Sequence, residues 1–160
     1  MKRLALLSAV LMLGLALPAA AQTTGFGSAQ NVKAPVEVTS DSLQVDQKTG
    51  VATFIGHVVV VQQNMRLAAD RVIVTYDQGD RTRISTLHAE GNVTLTSGPD
   101  AAESRTADYD VKSGHVILRG DVLLTQGPNV LTGETVTVDL ATGQATASGR
   151  VRSLLQPEGN

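Results

Sequence analysis

Three histidines are the side chains of this chain best suited to bind a metal, and their spacing argues against a metal site. His57, His88 and His115 lie far apart, and none has a second ligand at a metal-site spacing such as His-x-x-x-His. His57 and His115 stand beside predicted turns, where a solvated turn residue is the simpler interpretation. We therefore predict no metal and no cofactor.

Carboxylates are the other candidates for chemistry. Asp41, Asp70, Asp108 and Glu134 each open an alternating apolar run, at spacings of 29, 38 and 26 residues. A catalytic acid and base would be one unique pair, whereas an acid that recurs once per repeat suits a structural hydrogen bond. The sequence also has no Gly-x-Ser-x-Gly elbow and no Gly-x-x-x-x-Gly-Lys loop. We predict no catalytic residue and no enzymatic activity.

The elements that carry these residues repeat along the chain. A glycine, a polar residue and a valine recur in the same order at Gly56, Gly91, Gly120 and Gly149, which are 35, 29 and 29 residues apart. A period of 20 to 50 residues is typical of stacked units that cannot bury their apolar faces alone. The function is therefore expected to belong to the whole stack of about four repeats.

Residues 34–155 alternate apolar and polar side chains or carry Val, Ile and Thr, with Gly, Asp and Asn at the breaks. This is strand and turn chemistry, and no helical periodicity is long enough to predict a helix. The pattern predicts an all-β fold of about 14 to 16 short strands.

Alternation also predicts which side chains share a face of the sheet. One face is apolar, and its members include Phe54, Val58 and Val60, Val72 and Val74, Tyr109 and Val111, and Val136 and Val138. Because only 2% of the residues are aromatic, Val, Leu and Ala must line whatever the sheet encloses. Such a lining suits either a packed interior or a slot for acyl chains.

The chain begins with two basic residues, an apolar stretch over residues 4–17 and an Ala-x-Ala site ending at Ala21. This pattern predicts a cleaved secretory signal peptide over residues 1–21, because the apolar stretch is too short for a spanning helix. Residues 22–34 are predicted to be a flexible leader, residues 35–155 the folded domain and residues 156–160 a short tail.

Net charge limits the possible binding partners, and cysteine content limits how the fold can be stabilised. Loss of Lys2 and Arg3 with the signal peptide leaves 11 basic and 15 acidic residues, a net charge of −4. This balance argues against nucleic acid as a partner. The absence of cysteine means that an exported chain must fold by burial and strand pairing alone.

Several segments together resemble a known family. Residues 35–41, 53–60, 69–72, 116–120 and 131–134 are similar, in the same order, to motifs of the OstA-like (LptA) family of lipopolysaccharide transport proteins. The similarity covers nearly all of the mature chain.

The resemblance implies a fold and a function. The fold would be a rolled antiparallel sheet, a β-jellyroll with a V-shaped cross-section and an apolar groove for the acyl chains of lipid A. By motif position the groove lining would include Val36, Val38, Leu95, Tyr109 and Val111. The remaining members of the predicted lipid-binding set come from the same apolar face: Phe54, Val58, Val60, Val72, Val74, Val136 and Val138.

The resemblance also implies partners and a compartment. A periplasmic head-to-tail homo-oligomer would use its edge strands to join an LptC-like subunit of the inner membrane to an LptD-like translocon of the outer membrane. Two alternatives remain open. The chain could be a membrane-anchored recruiting subunit, which would keep its N-terminal apolar segment, or a structural exported β-repeat protein with a filled interior and no ligand.

Overall fold

A computed structural model describes residues 23–156, and this part of the chain forms one antiparallel sheet of eleven strands. The strands are β1 (Thr23–Gly25), β2 (Glu37–Thr39), β3 (Ser42–Asp46), β4 (Val51–Gln62), β5 (Met65–Tyr76), β6 (Ile84–Ser97), β7 (Asp100–Asp110), β8 (His115–Gln126), β9 (Asn129–Asp139), β10 (Gln144–Ser148) and β11 (Arg152–Leu154). The all-β fold predicted from the alternation and the antiparallel sheet implied by the resemblance are both confirmed.

Each long strand, β4 to β9, is interrupted near its middle, and the interruptions form a line across the sheet. The strand registers shift between Ile55 and Val58 in β4, between Glu90 and Val93 in β6, and at corresponding places in the other long strands. A β-bulge bends the strand that carries it and re-aims the following residues. The row of bulges therefore divides the sheet into two leaves.

The first leaf holds the halves of β4 to β9 that meet at the β4–β5, β6–β7 and β8–β9 turns, and β2 and β11 are its edges. The second leaf holds the other halves, with β3 at one edge and β10 and β1 at the opposite edge. Tyr109 in the second leaf donates a hydrogen bond to Gln62 in the first, so the two leaves face each other. This arrangement is the rolled sheet that the resemblance implies.

The core lies between the leaves and consists mostly of Val, Leu and Ala. Val58, Val72, Val116 and Val136 are fully buried, and the same inward face continues along every long strand. The apolar face predicted from alternation is therefore the inward face.

Two expectations differ from the structure. The sequence predicted about 14 to 16 short strands, whereas six of the eleven described strands are 11 to 14 residues long. The same two strands pair before and after each bulge. The repeat glycines therefore bend continuous strands and do not end them. The expected flexible leader also differs, because residues 23–25 form β1 and Phe26 is buried.

The predicted signal peptide, residues 1–21, and residues 157–160 of the predicted tail lie outside the described residues. Within residues 23–156, no helix has the length and apolar character needed to cross a membrane.

Candidate functional site

The twelve residues predicted to bind lipid all face the interior, but they differ in access to solvent. Eight are buried in the core, with relative exposures of 0 to 1%: Val58, Val60, Val72, Val74, Leu95, Tyr109, Val136 and Val138. The other four are partly buried and pack against the core: Val36, Val38, Phe54 and Val111. The structure therefore brings the predicted set into one cluster. Eight of its twelve members are closed to solvent by the rest of the protein.

The mouth between the two leaves is crossed by residues 26–36, which we name the strap. At the second leaf, Phe26 N donates to Gly143 O at 2.5 Å and Gln30 N donates to Leu140 O at 2.9 Å. At the first leaf, Gly27 N donates to Asp100 Oδ2 at 2.6 Å. The strap thus connects the rims of both leaves, and its buried Phe26 fills the space beneath it.

Gln30 is the strap residue that makes the most specific contacts. Its Nε2 donates to Ser97 Oγ at 2.6 Å, and its Oε1 accepts from Met65 N at 3.1 Å. Ser97 and Met65 are almost completely buried. A buried donor or acceptor that loses its partner is costly, so Gln30 fixes the centre of the strap to the first leaf.

Gln62 fixes the end of the strap that leads into β2. Its Nε2 donates to Val32 O at 3.0 Å and to Ala34 O at 2.8 Å, and its Oε1 accepts from the Tyr109 hydroxyl. Burial raises the pKa of Tyr109 to about 12, although the bond to Gln62 acts in the opposite direction. Tyr109 was predicted as lining for a groove, and it also holds together the leaves and the strap.

The polar residues of the core have a common role. Gln62, Ser97 and Asp100 are the buried polar residues of the described chain, and each bonds to the strap. The sequence indicates this role by placing polar residues at inward positions, which the search for an apolar face overlooked. Gln62 follows Val58 and Val60, and Ser97 follows Val93 and Leu95, in the inward register.

The interior is less well covered at the end formed by β2 and β3. Leu43 pairs with Phe54 and Val45 pairs with Ala52, so both side chains of β3 point to the inward side. They are nevertheless 53% and 59% exposed. We name Val38, Leu43, Val45 and Phe54 the apolar margin, since there the interior meets solvent.

Three of the four repeated acids lie along the row of bulges. Asp41 Oδ2 contacts His57 Nδ1 at 2.7 Å, Asp70 Oδ2 accepts from Asn92 Nδ2 at 2.8 Å, and Glu134 Oε1 accepts from Arg150 Nε at 2.8 Å. In each case the partner directly follows a repeat glycine, and the glycine and the partner both have positive φ. These pairs are structural clasps across the bend, as the recurrence of the acids predicted.

The third repeat was aligned wrongly from the sequence. Arg105, and not Asp108, occupies the clasp position, and it pairs with Asp121, so the charges are exchanged. Asp108 instead contacts His88 Nδ1 at 2.6 Å and pairs with Arg119 on the outer face. The spacing from Asp41 through Arg105 to Glu134 is 29, 35 and 29 residues, which is more regular than the spacing through Asp108.

The histidines are separate from one another in the structure as well. His57 is exposed, and its hydrogen bond and charge interaction with Asp41 raise its pKa above the ordinary value. His115 Nε2 lies 3.7 Å from Asp139 Oδ2. Residues 23–156 contain no group of three His, Cys, Asp or Glu residues positioned to hold a metal.

Comparisons with known proteins agree with this architecture. The family described as LptA/(LptD N-terminal domain) LPS transport protein matches residues 37–144. The lipopolysaccharide export system protein LptA of Escherichia coli K12 is 32% identical over 62 residues, which cover 39% of this chain and 34% of that protein. LptA of Shigella flexneri gives the same values, so the match spans about a third of these relatives.

A solved structure shows the same fold. It is LptH of Pseudomonas aeruginosa, described as the LptA homologous periplasmic component of the lipopolysaccharide transport device. The TM-score is 0.70 at 24% identity, over 78% of this chain and 97% of LptH. Because the family match covers residues 37–144, which include the strands β2 to β9 and the inward face, this chain belongs to the OstA-like family of LptA and the LptD N-terminal domain, which are lipopolysaccharide transport proteins.

Proposed function

We propose that this protein is a periplasmic lipopolysaccharide-binding bridge. It shelters the acyl chains of lipid A against its apolar interior and links the inner-membrane transport complex to the outer-membrane translocon during outer-membrane assembly. The observation that carries the proposal is the apolar margin, where inward-facing Leu43 and Val45 remain more than half exposed. A filled structural core would be expected to cover such residues.

The aliphatic character of the interior supports acyl chains as the guest. Each CH₂ group removed from water stabilises a complex by about 0.8 kcal/mol, so several acyl chains gain strongly from an aliphatic lining. Val38 and Phe54 already pack against the core beside the exposed residues. Acyl chains that enter at the margin would extend a surface that is continuous with the core.

The strap determines how far a lipid can enter. The buried residues beneath the mouth are fully packed, and the strap holds both rims by hydrogen bonds. Chains that pass beyond the margin must therefore displace the strap and separate the leaves. Loading is expected to begin at the β2–β3 end and to proceed as contacts of the strap are exchanged for lipid.

The bridge role is supported by the edges of the sheet. On one side, β3 carries exposed Leu43 and Val45. On the opposite side the second leaf ends at β1 and the first leaf ends at β11, where Leu154 and the following Leu155 are 60% and 64% exposed. Unpaired edge strands bind other strands, and most proteins protect them. These edges would serve head-to-tail assembly and contacts with LptC-like and LptD-like partners, and the periplasmic assignment follows the relatives and the predicted signal peptide.

Site-specific photo-crosslinking tests the lipid site. A photoreactive residue at Val38 or Val111 is expected to crosslink lipopolysaccharide, because both positions are inward and partly buried. Thr94 is the control, since its neighbours Val93 and Leu95 are inward and it therefore faces outward. Equal labelling at Thr94 and Val38 would contradict an interior site.

A second function, a structural exported β-repeat protein, is favoured by the eight predicted residues that are sealed in the core. Mass spectrometry of the exported protein separates the two functions. Retained lipid A supports the bridge. If the protein is purified without bound lipid and gives no crosslink from Val38, the result supports the structural function and contradicts the bridge.

A further inference from the structure

A cleft of about 760 Å³ opens on the second-leaf side of the strap. Its apolar lining includes Val32, Val36, Ile84 and Val111, which are partly buried and pack against the core. The cleft is therefore a second place, beside the apolar margin, where the hydrophobic interior meets solvent.

The cleft also has a cationic rim that is assembled from three separate segments. Lys33 comes from the strap, Arg83 from the turn between β5 and β6, and Lys112 from the turn between β7 and β8. One carboxylate, Asp77, shares the lining with these three cations. An excess of positive charge beside an apolar floor is complementary to an amphiphile with an anionic head.

The two lysines are the cations available to a ligand. Arg83 Nε already lies 3.2 Å from Asp80 Oδ2. Lys33 and Lys112 are exposed, and neither takes part in an ion pair within residues 23–156. The nearby Asp110 is not part of the cleft lining, and its Oδ1 accepts from Ser113 N at 2.9 Å within the β7–β8 turn.

We propose that this cleft binds the phosphorylated head of an acyl lipid. Lys33 and Lys112 contact the phosphate from opposite sides, and the first methylene groups of the acyl chains lie on Val36, Ile84 and Val111. The inference rests on the proposed lipid-binding function and adds to it the place of the phosphate. The apolar floor distinguishes this site from a site for free phosphate, and the lysines distinguish it from a site for an uncharged lipid.

The site also involves the strap in ligand binding. Lys33 lies between Val32 and Ala34, whose carbonyl oxygens accept from Gln62. A phosphate held by Lys33 therefore contacts the segment that closes the mouth. Head-group binding and strap displacement are expected to be coupled at this position.

The test compares two lipids on the full chain. Binding of phosphorylated lipid A and of the same lipid with its phosphates removed is measured for wild type, Lys33→Glu/Lys112→Glu and Lys33→Arg/Lys112→Arg. Lys48→Glu is the matched control, because Lys48 is an exposed turn lysine outside the cleft. Thermal unfolding of each variant shows that the fold is retained.

Wild type and Lys48→Glu are expected to prefer the phosphorylated lipid by about tenfold at low salt, since two exposed charge contacts each contribute a few-fold. The preference should decline as ionic strength rises, which tests the site without any substitution. The double Glu variant should lose the preference yet bind the dephosphorylated lipid as wild type does, and the double Arg variant should keep it.

The outcomes separate the two proposals. If wild type binds neither lipid, the proposed lipid-binding function is overturned. If wild type binds both lipids equally, or the double Glu variant keeps the preference, the phosphate site is overturned and acyl binding stands. Competition by inorganic phosphate as strong as that by the lipid would also overturn the site.

Discussion

At the scale of single residues, the contact between Tyr109 and Gln62 connects the three parts that enclose the interior. Tyr109 belongs to the second leaf, Gln62 to the first, and Gln62 also donates to two carbonyl groups of the strap. Both side chains are nearly inaccessible to solvent. A polar pair at such a place holds the closed form together and is sensitive to substitution.

The Tyr109 hydroxyl makes stability depend on pH in the alkaline range. Its pKa is raised from 10.0 to about 12, so the folded state favours the neutral phenol. The resulting stabilisation is complete below pH 10 and is lost as pH rises toward 12. Tyr109→Phe is expected to cost about 1 to 2 kcal/mol at neutral pH, because Gln62 Oε1 loses its donor.

Chemical denaturation from neutral pH to pH 12 measures both effects. The difference in unfolding free energy between wild type and Tyr109→Phe should narrow across this interval. A difference that stays constant would show that Tyr109 titrates in the folded protein as it does in the unfolded chain.

The first clasp gives a prediction for a histidine. Since the hydrogen bond and charge of Asp41 raise the pKa of His57, Asp41→Asn should lower that pKa toward its ordinary value. While Asp41 is ionised, the clasp contributes stability below the ordinary histidine pKa of 6.5 and loses it as pH rises through the raised folded pKa of His57. NMR titration of the His57 imidazole measures the shift, and equal His57 pKa values in Asp41→Asn and wild type would contradict the clasp.

At the scale of elements, the glycines of the bulges are required by both backbone angle and space. Gly56 has φ of +82°, and a Cβ there would lie 2.5 Å from Asp41 Oδ2. An L-residue side chain is unfavourable at this φ, and here it would also displace the clasp. The bend at Gly56 and the clasp made by Asp41 therefore depend on each other.

Three alanine substitutions separate the effect of the backbone angle from the effect of the steric clash. Gly56→Ala should destabilise the protein by about 2 to 4 kcal/mol, through φ strain and the clash with Asp41. Gly98→Ala, at φ of +59° with nothing within 4 Å, should cost about 1 kcal/mol. Gly79→Ala has open space and no positive φ, and should leave unfolding free energy unchanged. Equal effects at Gly56 and Gly98 would mean that the clash is relieved.

The strap gives a prediction of its own. Gln30→Ala removes the partners of Met65 N and Ser97 Oγ, and should cost about 2 kcal/mol. Hydrogen exchange at the Met65 amide should accelerate, while amides of the β8–β9 ladder over residues 116–119 remain protected. Gln78→Ala, in the exposed turn between β5 and β6, is the control. Unchanged exchange at Met65 would show that the strap does not depend on Gln30.

Sequence patterns predicted some of these elements well and others poorly. Alternation identified the inward residues, such as Val72 and Val136, because a two-residue period determines the face of a strand. Composition predicted a flexible leader over residues 22–34, whereas residues 23–34 of this range are ordered, since a polar, glycine-rich segment can be held by hydrogen bonds to distant strands. The contacts of Gln30 and Gly27 with residues 35 to 73 positions away leave no local pattern. Assignment of a groove came from the family resemblance alone.

At the scale of the whole molecule, the two ends of the sheet are different surfaces. One end presents Leu43 and Val45 on β3, and the other presents Leu154 on β11. A contact between unlike ends generates an open row and not a closed dimer. The proposed head-to-tail assembly therefore needs both ends of every internal copy.

Substitutions at the ends test this assembly. Val45→Lys or Leu154→Lys should each reduce the mass of oligomers measured by light scattering, because a lysine on an edge strand opposes pairing with another strand. Mixing the two variants should restore dimers, since one intact β3 edge can meet one intact β11 edge. Thr94→Lys, on the outer face of β6, should assemble as wild type does. Loss of dimers in the mixture would contradict pairing between unlike ends.

The row of bulges has a mechanical consequence for the whole molecule. Within each leaf the strands are joined by their own ladders of hydrogen bonds. Apart from one shift between Thr75 and Tyr76 at the end of β5, register is interrupted along the bend. Rotation about that line would widen the mouth without breaking a ladder, as a hinge moves two rigid plates. The hydrogen bonds of the strap oppose this rotation. Opening the mouth therefore costs the hydrogen bonds of the strap, the Tyr109–Gln62 bond and the burial of the apolar side chains between the leaves, but it leaves the ladders of the sheet intact.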